Sequence, residues 1–281
     1  MVKDIIKALL PREVRDLVFA VRHYRRAHGV YPRLLRPRTL NEKILRRKVF
    51  DRRSLFTTFA DKYAVRNFVA DRLGSQILPR LYCVTTDPAT IPFESLPQKF
   101  VVKPTHGSGW VRVVRDKDAI DRRELIQTCT RWLGSSYYEF LRERGYKDVP
   151  RRIMIEEFID DGSGDTPTDY KFFTFHGKVH LIQIDTSRFS GHRRSMYDPL
   201  WRDTGTRVNY DRIGIPLPRP ANLDLMLQTA AALGRDLDFV RVDLYDAGRQ
   251  IYFGEMTPTP GCGALRFEPE LMDYKLGTLW V

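Results

Sequence analysis

Phe239 to Tyr245 reads FVRVDLY and Gln250 to Met256 reads QIYFGEM, two strand-like runs joined through the turn residues Asp246, Ala247 and Gly248. Asp243 and Glu255 stand where central strands are otherwise apolar, and a buried carboxylate without a partner is costly. A bound cation resolves that cost, because Mg²⁺ takes one or two carboxylates together with substrate phosphate oxygens. Arg241, two residues before Asp243, shares its face of the strand, and its guanidinium fork can hold a carboxylate or a phosphoryl group. A buried Arg-Asp-Glu ion network without metal satisfies the same residues, so the hairpin alone leaves both readings open.

Upstream, Tyr170 to Phe175 and Lys178 to Asp185 flank His176-Gly177, the two-residue connection of a β-hairpin. Arg152 to Ile159 (RIMIEEFI) is a strand in which alternation sends Glu156 and Glu157 to opposite faces, one toward a cleft or both into edge salt bridges. Lys99 to Pro104 (KFVVKP) is another, placing Lys103 just before the turn His106-Gly107-Ser108-Gly109. An ammonium there neutralises phosphate charge while glycines let backbone N–H groups approach the oxygens, although such a turn also serves as a plain hairpin. Helical patterns cover Leu40 to Asp51, Ala60 to Gly74, Asp118 to Leu133 and Leu223 to Leu233. Ser187 to Arg212 is a basic, loop-like stretch with one strand at most, carrying Arg188, Arg193 and Arg194. Helices mixed with antiparallel strands predict an α+β fold.

The 281 residues are 42% hydrophobic, enough for a sizeable core, and 47 Lys plus Arg against 35 Asp plus Glu give a net charge of +12 that favours anionic partners. No Walker A, H-E-x-x-H, paired C-x-x-C or G-x-S-x-G occurs, which removes P-loop, common zinc and serine-hydrolase chemistry. Arginines do not alternate with exposed aromatics as nucleic-acid binding requires, so no specific nucleic acid is expected. Three cysteines, Cys83, Cys129 and Cys262, without C-x-x-C spacing suit a reducing compartment, and the cytoplasm is the expected location. No apolar run reaches the roughly 20 residues that span a bilayer. Met1 to Arg26 nevertheless sets Ile5, Ile6, Leu9, Val14 and Val18 at helical spacing among arginines, a pattern able to lie on an anionic membrane face or to pack on its own domain.

Taken in order, these segments resemble the ATP-grasp superfamily: Asp61-Lys62 opening a helix that ends at Leu73-Gly74, Phe100 to Pro104 before Gly107 to Gly109, Ile155 to Ile159, then Arg241 to Asp243 with Glu255 to Gly261. Within it the chain looks closest to the TupA-like branch, named for teichuronopeptide synthesis and associated with bacterial surface polysaccharides. Pro37 to Lys43, Asp61 to Arg66, Asp169 to Phe173 with His176 to Lys178, and Ile251 to Met256 carry that likeness.

The resemblance implies an ATP-grasp fold of two α+β subdomains clamping ATP: a helical region over 1–97, a small lid subdomain over 98–160 and a catalytic subdomain over 161–281. ATP and Mg²⁺ would be the cofactors. Lys103, and more weakly Lys62, would hold phosphates; Gly107, Ser108 and Gly109 would form the lid; Glu156, Glu157, Phe158 and Ile159 would meet the adenine, and Asp169 or an acidic residue of the preceding loop the ribose. Lys171 and Arg241 would act on the transferred phosphoryl group, and Asp243, Glu255 and Thr257 would face the metal. Many members carry Glu-x-Asn where this chain has Glu255-Met256-Thr257, and a hydroxyl is a poorer metal ligand than an amide oxygen. The implied reaction joins a carboxylate, of a uronic acid or an amino acid, to an amine through an acyl phosphate. Arg188, Arg193 and Arg194 are the expected contacts for an anionic acceptor, such as a glycan or its precursor. A kinase on the same fold, a glycosyltransferase and a polyanion-binding protein are the alternatives.

Overall fold

The computed structural model describes residues 10–162, 166–186 and 191–281. Its N-terminal part is helical: α1 (Arg12–His28), α2 (Leu40–Phe50), α3 (Leu55–Ala60) and α4 (Val65–Leu73). The helix expected from Ala60 to Gly74 starts only at Val65, after a turn at Asp61. That carboxylate accepts the N–H groups of Tyr63 (2.9 Å) and Ala64 (3.2 Å) and takes Arg152 Nη2 at 2.6 Å, so side-chain bonding competes successfully with helix propagation. On α1, Ala20 and Tyr24 pack against Leu45, whereas Val14 and Val18 are exposed. The earlier part of the expected basic helix, with Ile5, Ile6 and Leu9, lies outside the described residues. No helix of the described residues is long and apolar enough to cross a membrane.

β1 (Leu81–Thr85), β2 (Phe100–Pro104), β3 (Arg112–Val114) and β4 (Ile153–Glu157) form a four-stranded antiparallel sheet in the order β1-β4-β2-β3. β1 comes from the stretch expected to be helical. Phe100, Val102, Ile153 and Ile155 cover one face with Leu125 and Cys129 of α5 (Arg122–Gly134), and a short α6 (Tyr138–Leu141) follows.

The second sheet contains β5 (Asp169–Phe175), β6 (Lys178–Thr186), β7 (Arg193–Tyr197), β9 (Phe239–Asp246) and β10 (Ile251–Thr257) in the order β10-β9-β5-β6-β7, every neighbour antiparallel. The basic stretch before residue 212 thus supplies β7, and also β8 (Arg207–Val208), which pairs with β11 (Phe267–Glu268). At the β5–β6 turn His176 (φ 47°) and Gly177 (φ 74°) are both left-handed, the conformation a two-residue hairpin of this hand requires. A side chain at Gly177 would also come within 2.9 Å of the Arg235 backbone.

Strand alternation divides the five-stranded sheet. Phe172, Ile182, Val240, Val242 and Leu244 face α7 (Leu223–Gly234) and α4, building the largest core. On the opposite face Phe173, Phe175, Leu181 and Phe239 pack on α2 and on α8 (Leu271–Leu279). α2 is held there by its Thr39–Glu42 capping box and by Asn41, which donates Nδ2 to Leu265 O (2.7 Å) and to Asp273 Oδ2 (2.8 Å). Along that same face the apolar residues give way to Asp169, Lys171, Asp185 and Asp243.

Candidate functional site

Between the two sheets lies a cavity of about 380 Å³. Register explains its floor. Lys171 on β5 stands opposite Gln183 on β6 and Asp243 on β9, Asp243 stands opposite Glu255 on β10, and Asp169 opposite Asp185, itself opposite Arg194 on β7. A two-residue period therefore gathers these polar side chains from every strand onto one surface.

The centre is an ion network. Lys171 Nζ donates to Asp169 Oδ2 (2.5 Å) and Asp243 Oδ2 (2.7 Å), and Arg241 grips Asp243 with Nε and Nη2, both at 2.7 Å. Burial by itself would raise the Asp243 carboxyl, but Arg241 and Lys171 outweigh it and hold the group below its ordinary range. Burial likewise opposes the charge of Arg241, yet Asp243 and Glu255 keep that guanidinium above its usual value. Arg241 Nη2 also reaches Thr257 Oγ1 (3.0 Å), whose hydroxyl donates to Glu255 Oε1 (3.2 Å).

The opposite wall comes from the four-stranded sheet. Lys103 on β2 pairs with the buried Glu156 of β4, its diagonal neighbour across the register Val101–Glu156, and Arg66 lies 3.9 Å from the same carboxylate. Glu157, on the alternate side of the strand, accepts the Arg80 N–H at 3.0 Å. Lys62 Nζ donates to Gly107 O at 2.6 Å, tying the helical region to the glycine turn. Burial, aided by repulsion from Lys103, keeps the Lys62 ammonium below its ordinary value against the pull of Glu255. Gly109 is left-handed (φ 74°), and a side chain at Gly107 would strike Trp110 at 2.6 Å.

Of the residues singled out from sequence, Lys62, Lys103, Ser108, Gly109, Glu156 to Ile159, Asp169, Lys171, Arg194, Arg241, Asp243 and Glu255 line this one cavity. Thr257 lines a neighbouring cavity instead. Arg193 is exposed and donates to Arg212 O at 3.3 Å, while Arg188 lies outside the described residues. Sequence reading passed over Gln183, Asp185, His192 and Tyr210, which also line the cavity. Asp185 interrupts an apolar strand just as Asp243 does, and the same reasoning would have found it.

Arg194 is engaged internally: Nε donates to Asp185 Oδ1 (2.6 Å) and Nη2 to Oδ2 (3.2 Å), with His192 Nε2 3.1 Å from Oδ1. Burial pushes the Asp185 carboxyl up, but Arg194 more than reverses this and holds it well below the usual carboxylate range. Arg194→Ala is therefore expected to cost about 3–5 kcal/mol by leaving a buried charge without its main partner. Arg193→Ala should stay within about 0.5 kcal/mol. Paired denaturant melts check this, and equal stability of the two variants would refute it.

Against known families, the model for TupA-like ATP-grasp proteins matches residues 42–281. The chain belongs to the TupA-like ATP-grasp family, and its α+β architecture is that fold. Among solved structures it is similar to the D-alanine–D-alanine ligase of Bacillus anthracis complexed with ATP, at 18% identity over 72% of this chain and 54% of that one, with a TM-score of 0.43. It is also similar to a RiPP-associated ATP-grasp ligase of Chryseobacterium gregarium in complex with ADP and a leader and core peptide, at 12% identity over 82% and 61% with a TM-score of 0.43. The chain spans about half the length of the first of these (54%). No curated protein matches it in sequence.

Proposed function

We propose that this chain is an ATP-dependent carboxylate–amine ligase. One observation supports the reading above others: Lys62, Lys103, Lys171 and Arg241 converge on a cavity whose floor also presents Asp243 and Glu255, in a member of an ATP-grasp family. Lys103, Lys171 and Arg241 are paired there with Glu156, Asp169 and Asp243, and the half-buried Glu255 accepts only a threonine hydroxyl among the described residues. That donor set fits a nucleotide with a divalent ion, since Mg²⁺ needs few carboxylates when phosphate oxygens complete its shell. Asp243 and Glu255 would hold the ion, which neutralises phosphate charge when bound. Thr257 contributes little to a second ion, its hydroxyl being shared between Arg241 and Glu255.

Lys103 and Lys62 would then hold phosphates, Glu156 to Ile159 would meet the adenine with their backbone, and Asp169 the ribose. Lys171 and Arg241 cancel repulsion as a carboxylate approaches the tetraanionic nucleotide. The carboxylate oxygen attacks the γ-phosphorus and ADP departs; an amine then attacks the acyl carbon, and phosphate leaves as the amide forms. The glycine turn Gly107 to Gly109 covers the reacting groups from water. No side-chain nucleophile is required.

The test is ADP release across uronic acids, sugar nucleotides carrying them, and amino acids, with and without an amine, products being weighed by mass spectrometry. An amide and free phosphate, formed only when the amine is present, is the expected result. A phosphorylated hydroxyl would make the chain a kinase, and absence of ADP release from the whole panel would count against the ligase reading.

A further inference from the structure

The two sides of α1 differ in charge. Ala20 and Tyr24 pack on Leu45 of α2, and the acids of the helix belong to this inner side: Glu13 and Asp16 line a small pocket with Lys48, Arg52, Arg142 and Arg144, and Asp16 accepts from the Tyr138 hydroxyl. With about 3.6 residues per turn, Val14 and Val18 run along the outward side beside Arg15, Arg22 and Arg26. All five are exposed, and the three arginines make no side-chain hydrogen bond or ion pair among the described residues. Acids of the neighbouring elements are engaged elsewhere. Glu139 pairs with Arg12 and Arg142, and Glu42 accepts the N–H groups of Arg33, Arg38 and Thr39. Residues 10–38 hold eight arginines against two acids, so the outward side carries one sign of charge. The connection after α1 extends it. Arg25 donates Nη1 to the Tyr31 hydroxyl (2.8 Å) and lies over that ring, which stays 64% exposed, while Leu35 is 94% exposed.

We propose that the outward side of α1, with Tyr31 and Leu35, is a docking surface for an anionic lipid bilayer. A shallow apolar strip bordered by unpaired arginines can sink its side chains into the acyl boundary while the guanidinium groups remain at the headgroup phosphates. Tyr31 suits the same boundary, with an apolar ring and a wet hydroxyl. A soluble polyanion would meet the arginines and leave Val14, Val18 and Leu35 in water; an anionic bilayer meets both. None of these residues lines the cavity between the sheets, so the proposal holds whichever reaction occurs there.

Cosedimentation and flotation of the full chain test this with vesicles of phosphatidylcholine alone and of phosphatidylcholine mixed with phosphatidylglycerol. The mixed vesicles should bind the chain, less tightly as salt rises, and the neutral ones should not. Arg15→Glu with Arg22→Glu should lower the partition coefficient at least about tenfold, each arginine near an anionic surface contributing about fivefold. Val14→Gln with Val18→Gln should lower it at least about threefold with no change of charge. Arg123→Glu with Arg249→Glu makes the same change of charge at exposed sites elsewhere and should stay within about twofold of the parent. Circular dichroism melts check that the variants fold. Should either α1 variant fail, Leu35→Glu carries the test, with a loss of at least about tenfold expected. The proposal is overturned if mixed vesicles are not bound, if neutral vesicles bind equally, if the valine variant binds like the parent, or if the distant arginine pair costs as much as the α1 pair. Sedimentation velocity covers the rival occupant: self-association of the parent that the valine variant abolishes would assign the strip to a second copy of the chain and overturn the proposal as well.

Discussion

Glu255→Gln is expected to melt within about 1 °C of the parent chain and to release ADP about 100- to 1000-fold more slowly, the loss seen when one preorganised electrostatic group is removed from a reacting site. The two halves follow from different neighbours. Glu255 is half-buried and, among the described residues, accepts only the Thr257 hydroxyl, while Arg241 has its charge met by both oxygens of Asp243. An amide at position 255 keeps the volume and that hydrogen bond, and although its lost charge weakens the field on Lys62 and Arg241, neither cation loses a hydrogen-bond partner, so the fold is spared. The chemistry is not spared, because a neutral amide binds a divalent ion weakly where a carboxylate binds it well. Circular dichroism melts beside ADP release on the acid that proves active decide the matter. Turnover near the parental rate would make Glu255 a structural residue.

Much of the site was legible because strands announce themselves by alternation, and a charged residue within an apolar run marks a face that is not ordinary core. Asp243, Glu255 and Glu156 were found that way, and the structure sets them around one cavity. Local sequence carries no information about which strands become neighbours, and this is where reading stopped. Arg194 sits in a basic stretch that resembles a solvated loop, yet it is buried because β7 pairs with β6 and delivers it to Asp185. Asp61 looked like the opening of a helix; its bond to Arg152, 91 residues away, is invisible locally and helps hold 61–64 as a turn, so that the helix starts only at Val65. The neighbouring cavity lined by Thr257 depends on juxtaposing α2 with the Glu143 to Tyr146 segment, a tertiary fact without a motif. What the family resemblance supplied was order: Lys103, Glu156, Asp243 and Glu255 in sequence along a chain whose fold is that of the TupA-like family.

Asp243→Asn is expected to lower stability by about 3–5 kcal/mol at neutral pH and to remove stabilisation by ATP with Mg²⁺, and pH separates the first effect from general damage. Asp243 is the shared anion of two buried cations: Lys171 would retain Asp169, but Arg241 would face one neutral amide oxygen in place of a carboxylate, beside the Thr257 hydroxyl and the more distant field of Glu255. The folded-state pKa of Asp243 is depressed below its ordinary value of 3.8, because Arg241 and Lys171 outweigh burial. A depressed carboxyl binds fewer protons folded than unfolded, so its contribution is fully present above that ordinary value and is lost as pH falls through the folded one. The parent and the asparagine variant should therefore differ most at neutral pH, with the gap closing below pH 3.8. Asp185, also depressed, is common to both chains, so the acid limb that remains in the variant belongs to it and to other paired carboxylates. Denaturant melts at closely spaced pH values measure the gap. A difference that stays constant through the acid range would show that the asparagine perturbs packing rather than charge, and the ion network would no longer explain why a carboxylate occupies this central strand.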